Sequence, residues 1–226
     1  MLEDLAPGLR LDHRGYLPVK RALDIAGSLL ALCLLGPAMI AIAIVIRLDS
    51  PGSALFVQAA IGRGGRAFRL FKFRSMYSGT DNAEHQRFTA AFVDGMPEGQ
   101  AIDPRTRIVV YKIVNDARIT RVGRLLRRSG LDELPQLMNV LLGHMSLVGP
   151  RPPLPYEYSL YNDRARRRLV VRPGITGLYQ VYKRSRVTFG EMVETDLEYV
   201  QKMSLMLDLK LLFLTLPVLL KGQGAY

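Results

Sequence analysis

The sequence predicts an α+β fold: a mainly helical domain with a small β-hairpin, preceded by an apolar membrane helix broken at a Gly-Pro pair and accompanied by interfacial amphipathic helices. Three observations predict it. Ile25 to Ile46 contains no charged side chain, two strand-like runs flank the glycine-rich turn Gly62-Arg63-Gly64-Gly65, and Ala117 to Arg128 sets arginines and apolar residues at three- and four-residue spacing. At 226 residues and 49% hydrophobic, the chain can build one sizeable core, and no internal repeat argues for an array. The expected organisation is a tail at 1–19, a membrane helix at 20–47 and one domain at 48–226 that contains an insertion at 77–115.

Met1 to Val19 is mixed in character and reads as a loose surface tail. The apolar run that follows, flanked by Lys20, Arg21 and Arg47, is long enough to cross the hydrocarbon, which takes about 20 residues. Gly36 and Pro37 sit in its middle. Proline removes a backbone hydrogen bond and crowds the carbonyl of Cys33, so a kink is expected. Two geometries then compete, a kinked span and a helix that enters one leaflet, bends and returns to the same face. Positive charge at both ends supplies no orientation asymmetry. A cleaved signal peptide fits less well, because the apolar run exceeds the usual h-region and a mixed stretch precedes it.

Ala54 to Gln58 and Phe68 to Phe73 flank the glycine-rich turn as a β-hairpin. Alternation in the second strand sets Lys72 and Arg74 on one face and Phe71 and Phe73 on the other. Two cations on one strand face can hold a diphosphate, or can simply form a basic outer face over an apolar inner one. Tyr77 to Asn115, with Pro97, Gly99 and Pro104, reads as a partly helical insertion without assigned chemistry. The arginines at 118, 121, 124, 127 and 128 would give a helix a basic face beside an apolar one, suited to anionic headgroups or to solvent. Met203 to Leu220 is interrupted by Asp208, Lys210 and Pro217, which suits an interfacial or core helix rather than a span.

A formal charge of +11 implies anionic partners: nucleic acid, an acidic bilayer or phosphate-bearing substrates. One cysteine excludes an intramolecular disulfide framework, and three scattered histidines offer no zinc site. The chain has no nucleic-acid module and no basic strand interleaved with aromatics.

Leu131 to Pro152, LDELPQLMNVLLGHMSLVGPRP, is the most informative stretch. Pro135 suits the first turn of a helix, where its missing N–H costs little. Asp132 and Glu133 would stand at the positive end of that helix. There they could cap it, bind Mg²⁺, or supply a nucleophile, because carboxylate oxygens suit hard cations and can accept a phosphoryl group. The stretch ends on Arg151, stiffened by prolines on both sides. Downstream, Arg172-Pro173-Gly174-Ile175-Thr176-Gly177 pairs an arginine with a rigid, glycine-bearing turn whose N–H groups could meet an anion. Asp196 and Tyr199 would share one helix face and line either a pocket or a solvated edge.

An apolar helix broken at Gly36-Pro37, then KFRSM, the central LDELPQLMNVLLGHMSLVGPRP, RPGITGLYQV, and a closing TDLEYV with LDLK, resemble the bacterial sugar transferases called monotopic phosphoglycosyl transferases. The resemblance runs in order from about Lys20 to Tyr226. It implies that Asp132 attacks the β-phosphate of a UDP-sugar to give a sugar-phosphoryl-aspartate and UMP. The phosphate of undecaprenyl phosphate then takes the sugar phosphate, giving undecaprenyl diphosphosugar. It further implies Glu133 as the second residue of the dyad, Mg²⁺ held by Asp132 and Glu133, and ping-pong kinetics. Lys72, Arg74, Arg151 and Arg172 are implied phosphate or nucleotide contacts, with Gln180 and Asp196 as further substrate-site residues and Asn139 as a supporting polar group. By the same resemblance the broken helix is re-entrant, with both ends cytoplasmic, in the bacterial inner membrane. The break is Gly-Pro here, where the family often has Ser-Pro.

The insertion and the ending GQGAY resemble members that initiate exopolysaccharide or O-antigen synthesis, which favours glucose or galactose 1-phosphate as the group transferred. N-acetylated and diacetamido sugars stay open, and helix surfaces in the membrane allow a homodimer. Two other classes compete. A metal-dependent glycosyltransferase would be expected to carry an Asp-x-Asp motif, which the sequence lacks. A non-catalytic basic scaffold or nucleic-acid binder would use its arginines on lipid or backbone phosphates.

Overall fold

An unbroken run of helical residues from Tyr16 to Asp49 forms α1, with Pro37 inside it. The expected interruption at Gly36-Pro37 therefore does not end the helix; proline there removes one intrahelical hydrogen bond. The computed structural model describes residues 15–96, 98, 100–102, 109–111, 113, 116–183 and 186–221, with side chains up to 218. Most of the expected tail, the closing GQGAY and parts of the 77–115 insertion lie outside the described residues. Within them α1 begins earlier than the expected boundary at 20, because its first turn is pinned. The Tyr16 hydroxyl donates to Asp208 at 2.6 Å and Lys20 pairs with the same carboxylate.

Both ends of α1 pack against the domain and its middle does not. Lys20, Asp24 and Ser28 are buried near the N-terminal end, and Ile46 near the other. Between them Leu29, Leu30, Leu34, Leu35 and Ile40 are exposed. Among the described residues, α1 is the helix long and apolar enough to cross a membrane.

After α1 come β1 (Leu55–Ile61) and β2 (Ala67–Phe73), paired antiparallel from Leu55↔Phe73 to Ile61↔Ala67. This is the expected hairpin, with its first strand longer. Both faces of β2 are covered. Leu70 packs with Ala60, Val140 and Met145, while Phe73 packs with Ile46 and Leu126. The outer edge of β2 is closed by a side chain rather than a strand: Asn139 Oδ1 accepts from Phe71 N–H at 2.9 Å, and its Nδ2 donates to the Arg69 carbonyl at 2.7 Å. One buried amide thus satisfies a donor and an acceptor that an open edge would leave unpaired.

The insertion contributes α2 (Ala83–Val93) and a short antiparallel pair, β3 (Ala101–Ile102) with β4 (Val109–Val110). Then follow α3 (Arg121–Ser129), α4 (Gln136–Leu141), β5 (Ser146–Val148), α5 (Pro155–Ser159) and α6 (Asp163–Arg166). Helix α3 starts at a Thr120 cap whose hydroxyl accepts from Gly123 N–H. Arg118 consequently lies before the helix, not on its basic face, and chelates Asp116 through Nε and Nη2.

The chain closes with β6 (Gly174–Thr176), α7 (Leu178–Tyr182), α8 (Phe189–Lys202) and α9 (Leu205–Lys221). Strand β6 runs parallel to β5, so the RPGITG stretch is a strand rather than the expected anion-facing turn. Its Gly174 N–H is taken by the Pro150 carbonyl at 2.9 Å. A Cβ at Gly174 or Gly177 would come within 2.2 Å of the Gly149 backbone, so glycine is needed here for close approach of two chain segments. In α9, Asp208 is buried and anchored by Tyr16, Lys20 and the Tyr199 hydroxyl, while Leu205, Met206, Leu209, Phe213 and Leu216 are exposed.

The architecture is α+β, mostly helix with three two-stranded sheets among the described residues. A further apolar cluster, built on Tyr161, Phe189, Met192 and Leu197, joins α8 to the segment after α5.

Candidate active site

Gly130 ends α3 in a left-handed conformation, φ 71°, which a residue with a side chain rarely adopts. The reversal leads directly into a single 3-10 turn, Leu131–Glu133, and then through Pro135 into α4. The dyad therefore sits one turn ahead of α4, close to the expected position. The start of α4 and the 3-10 turn both lack a side-chain cap. The cap positions are Gly130 and Pro135, which have no polar side chain to offer, and the dyad lies between them.

An open pocket lies beside this turn. Glu133, Lys72, Arg151 and Gln180 line it, together with Gln58 and Gln136. Four residues expected from sequence are thereby brought together from β2, the dyad turn, the loop after β5 and α7. Lys72 Nζ stands 3.8 Å from Glu133 Oε1, both partly exposed, a loose pair that a ligand can displace at little cost. Asp132 is more buried than its neighbour, 9% exposed, and its negative charge acts on the Arg127 guanidinium. Arg127 in turn donates from Nε to the Ser75 hydroxyl at 2.9 Å.

Arg151 reaches solvent in the pocket while the backbone around it is fixed. Glu157 Oε2 lies 3.4 Å from Arg151 Nη1 and also accepts from Leu154 N–H at 2.8 Å. The adjacent Glu157 carboxylate holds the guanidinium above its ordinary pKa, so it stays charged. Beneath it, Arg168 Nη2 donates to the Arg151 carbonyl at 2.8 Å. Arg168 is 1% exposed and stands over the Tyr161 ring, 5.7 Å from its centroid.

Three expected site residues are placed elsewhere. Arg74 falls one residue past the end of β2 and turns back to the C-terminal end of α1. Its Nη1 donates to the Pro51 carbonyl at 2.6 Å, and its Nη2 to the carbonyls of Ser50 at 2.5 Å and Ile46 at 3.2 Å. This is C-terminal capping by a buried cation, not a diphosphate contact on a strand face. Asp196 is fully buried, with Oδ2 2.9 Å from Arg168 Nη2; it does not line the pocket. Burial pushes its carboxyl up to about 6, against the opposing pull of Arg168 and Arg151. Arg172 also lies outside the pocket, donating from Nε to the Gly143 carbonyl at 2.9 Å. Asn139 supports the site only through the edge of β2.

Residues that sequence reasoning passed over are Glu157, Arg168, Gln58 and Gln136. Only Glu157 carries a local signal, Leu-Pro-x-Glu, which is a helix start with proline at its first position and an acid reaching back to the preceding N–H.

Among the described residues no group of three or more His, Cys, Asp or Glu could hold a metal ion. Two adjacent carboxylates beside an open pocket still suit Mg²⁺, which is commonly bound by one or two carboxylates, substrate phosphates and retained waters. Lys72, Arg151 and Glu133 around one open pocket are groups of the kind that phosphate-bearing ligands meet.

Residues 15–222 match the model of the bacterial sugar transferase family, and the chain belongs to that family. It is 40% identical over 211 residues to a galactosyl transferase of Streptococcus agalactiae, covering 93% of this chain and 44% of that protein. It is 38% identical over 207 residues to the exopolysaccharide production protein ExoY of Rhizobium meliloti, covering 92% and 88%. It is 38% identical over 218 residues to the UDP-glucose:undecaprenyl-phosphate glucose-1-phosphate transferase of Caulobacter vibrioides, covering 92% and 72%. The chain thus spans less than half of the streptococcal relative and most of the other two.

Proposed function

We propose that the protein transfers a sugar 1-phosphate from a UDP-sugar to undecaprenyl phosphate, releasing UMP, as a membrane step that starts exopolysaccharide or O-antigen synthesis. The observation that carries this reading is the convergence of Lys72, Arg151 and Gln180 on a pocket lined by Glu133, the neighbour of Asp132. The activity for which the Caulobacter relative is named supports the substrate class. Relatives are named for galactose, glucose and N-acetylgalactosamine, and of these glucose and galactose are the favoured sugars from the sequence.

In the first half-reaction an Asp132 carboxylate oxygen attacks the β-phosphorus. The bond from that phosphorus to the bridging oxygen breaks, and the oxygen leaves on UMP. In the second, a phosphate oxygen of the acceptor lipid attacks the same phosphorus and frees Asp132. Arg151 and Lys72 neutralise phosphate oxygens that carry charge throughout such a displacement. Glu157 keeps Arg151 charged and aimed. Mg²⁺ held by Asp132 and Glu133 would supply further charge neutralisation and relieve the repulsion between the two carboxylates.

The same reading has α1 re-entrant. Its ends pack on one domain while its middle is exposed apolar surface, which favours a loop into one leaflet over a straight crossing. Exposed apolar residues along α9 and exposed Leu125 beside the arginines of α3 suit helices lying at that bilayer surface. The domain then faces the cytoplasmic side of the inner membrane.

The test is nucleotide release by the detergent-solubilised chain with Mg²⁺, undecaprenyl phosphate and a panel of UDP-sugars. UMP, with parallel double-reciprocal plots, is the expected result. Release of UDP would identify transfer of the bare sugar instead, and no release from any donor would favour a non-catalytic scaffold. For topology, Gly15→Cys in a Cys33→Ser background should react with impermeant maleimide only from the cytoplasmic side; labelling from outside the cell would establish a span.

A further inference from the structure

The polypeptide gathers a second group of cations away from the pocket. Arg21, in the first turns of α1, donates from Nη1 to the Val140 carbonyl at 2.6 Å and from Nη2 to the Leu141 carbonyl at 2.8 Å. Arg172 donates from Nε to the Gly143 carbonyl at 2.9 Å. Arg21 and Arg172 therefore meet at the C-terminal end of α4. Arg63, in the hairpin turn, donates from Nε to the Val170 carbonyl at 3.0 Å, two residues from Arg172. None of the three lines the pocket.

Helix capping accounts for part of this arrangement, since C-terminal carbonyls attract cations. Arg63 likewise takes the last carbonyl of the 3-10 turn Arg167–Val170, so what capping leaves unexplained is three like charges set within electrostatic reach of one another. Partial burial first, and then Arg21 and Arg63, hold the Arg172 guanidinium below its ordinary value. The carboxylate that opposes them, Asp24, already accepts from the Ser146 hydroxyl and Leu147 N–H. Each guanidinium has five N–H donors in a planar fork, and the hydrogen bonds above occupy only Nε in Arg63 and Arg172. Among the described residues their Nη groups remain for an anion, in the geometry that suits phosphate.

The position of the cluster identifies where that anion comes from. Arg21 is flanked by the exposed apolar residues Val19, Leu23 and Ile25 of α1, and Leu142, 57% exposed, lies between the carbonyls that Arg21 and Arg172 take. Cations beside exposed apolar side chains at the end of a membrane helix lie at headgroup depth.

We propose that Arg21, Arg63 and Arg172 form a second anion site, outside the pocket, that holds the phosphate group of a membrane lipid. The inference rests on α1 lying in the bilayer but not on the chemistry proposed for Asp132. The phosphate is either that of a glycerophospholipid or that of the polyprenyl phosphate acceptor, and the experiment separates the two.

Native mass spectrometry of the full chain, released from micelles doped with phosphatidylglycerol or with undecaprenyl phosphate, is compared with Arg63→Gln, Arg63→Gln/Arg172→Gln and Arg63→Lys/Arg172→Lys. Retention of one anionic lipid should weaken about tenfold for each guanidinium removed, the scale of one charged hydrogen-bond set, and be largely restored by lysine. If only phosphatidylglycerol retention falls, the site holds a structural lipid. If undecaprenyl phosphate retention falls, accompanied by a raised KM for that lipid with UMP release from the donor alone intact in Arg63→Gln, the site holds the acceptor. Equal retention of both lipids by all variants overturns the proposal. Arg63 is exposed, so its single variant keeps the test valid where the double variant does not fold.

Discussion

Asp132 and Asp196 are both buried acids, 9% and 0% exposed, and both read from sequence as site residues, yet they do opposite things. Asp132 sits in a single turn between two helices, next to a residue that lines the pocket, and no helix start claims its side chain. Asp196 lies on the inward face of α8, where Arg168 approaches within 2.9 Å and both side chains are 1% exposed. Asp196 is linked to the pocket through Arg168, which hydrogen-bonds the backbone of Arg151, and through its charge interaction with Arg151. The difference teaches that a buried carboxylate is available for chemistry when its turn opens on a cavity, and is structural when a buried cation already faces it.

The sharpest way to break the comparison is Asp132→Asn. Under the proposed chemistry UMP release falls by about 10³-fold or more, the scale seen when a nucleophile is removed, and the sugar-phosphate adduct disappears from the intact mass of the protein. Stability should barely change, since no cap is lost; retained turnover would remove Asp132 from the reaction. Asp196→Asn should do the reverse. It leaves Arg168 buried without its charge partner, which costs about 3–5 kcal/mol of folding stability, read by denaturant unfolding, while turnover per folded molecule changes little.

Smaller effects sharpen the contrast. Arg74→Ala strips the buried cation from the last carbonyls of α1 and should cost about 2–3 kcal/mol, again with donor KM unchanged. A rise in donor KM comparable with that of Arg151→Gln would return Arg74 to the pocket. The pH dependence of stability carries the signature of Asp196. Its folded-state pKa, about 6, lies above the ordinary 3.8, so the folded protein holds a proton that the unfolded chain releases. That contribution is full below 3.8 and is lost as pH rises through about 6. Asp196→Asn should flatten stability across this window. Glu157→Gln has the smallest expected effect, a several-fold rise in donor KM, because a 3.4 Å pair with a half-exposed arginine contributes about 1 kcal/mol or less.

Much of the molecule was legible before its tertiary structure. The hairpin followed from β-rich runs around Gly62 to Gly65, and the dyad turn from Pro135 and the acids before it. The convergence of Lys72, Glu133, Arg151 and Gln180 followed from the family resemblance, because the motifs recur together. Errors clustered where a side chain's partner is distant in sequence. Strand alternation is sound for Lys72 and fails for Arg74, because β2 ends at Phe73. The glycines of RPGITG suggested an anion nest, but they allow β6 to approach the loop that follows β5. Arg168 had no local signal at all, since its meaning depends on burial against Tyr161 and Asp196.

The sequence by itself determined the apolar helix, the hairpin, the dyad and the basic character, because each is written in local spacing and composition. Only the tertiary structure decided which cations face the pocket and which cap helices, and which acids are open and which are paired. Those outcomes depend on desolvation and on contacts between residues far apart in the chain, such as Arg74 with Ser50 and Arg21 with Val140. A charge has no fixed role until its surroundings set the cost of leaving it unpaired.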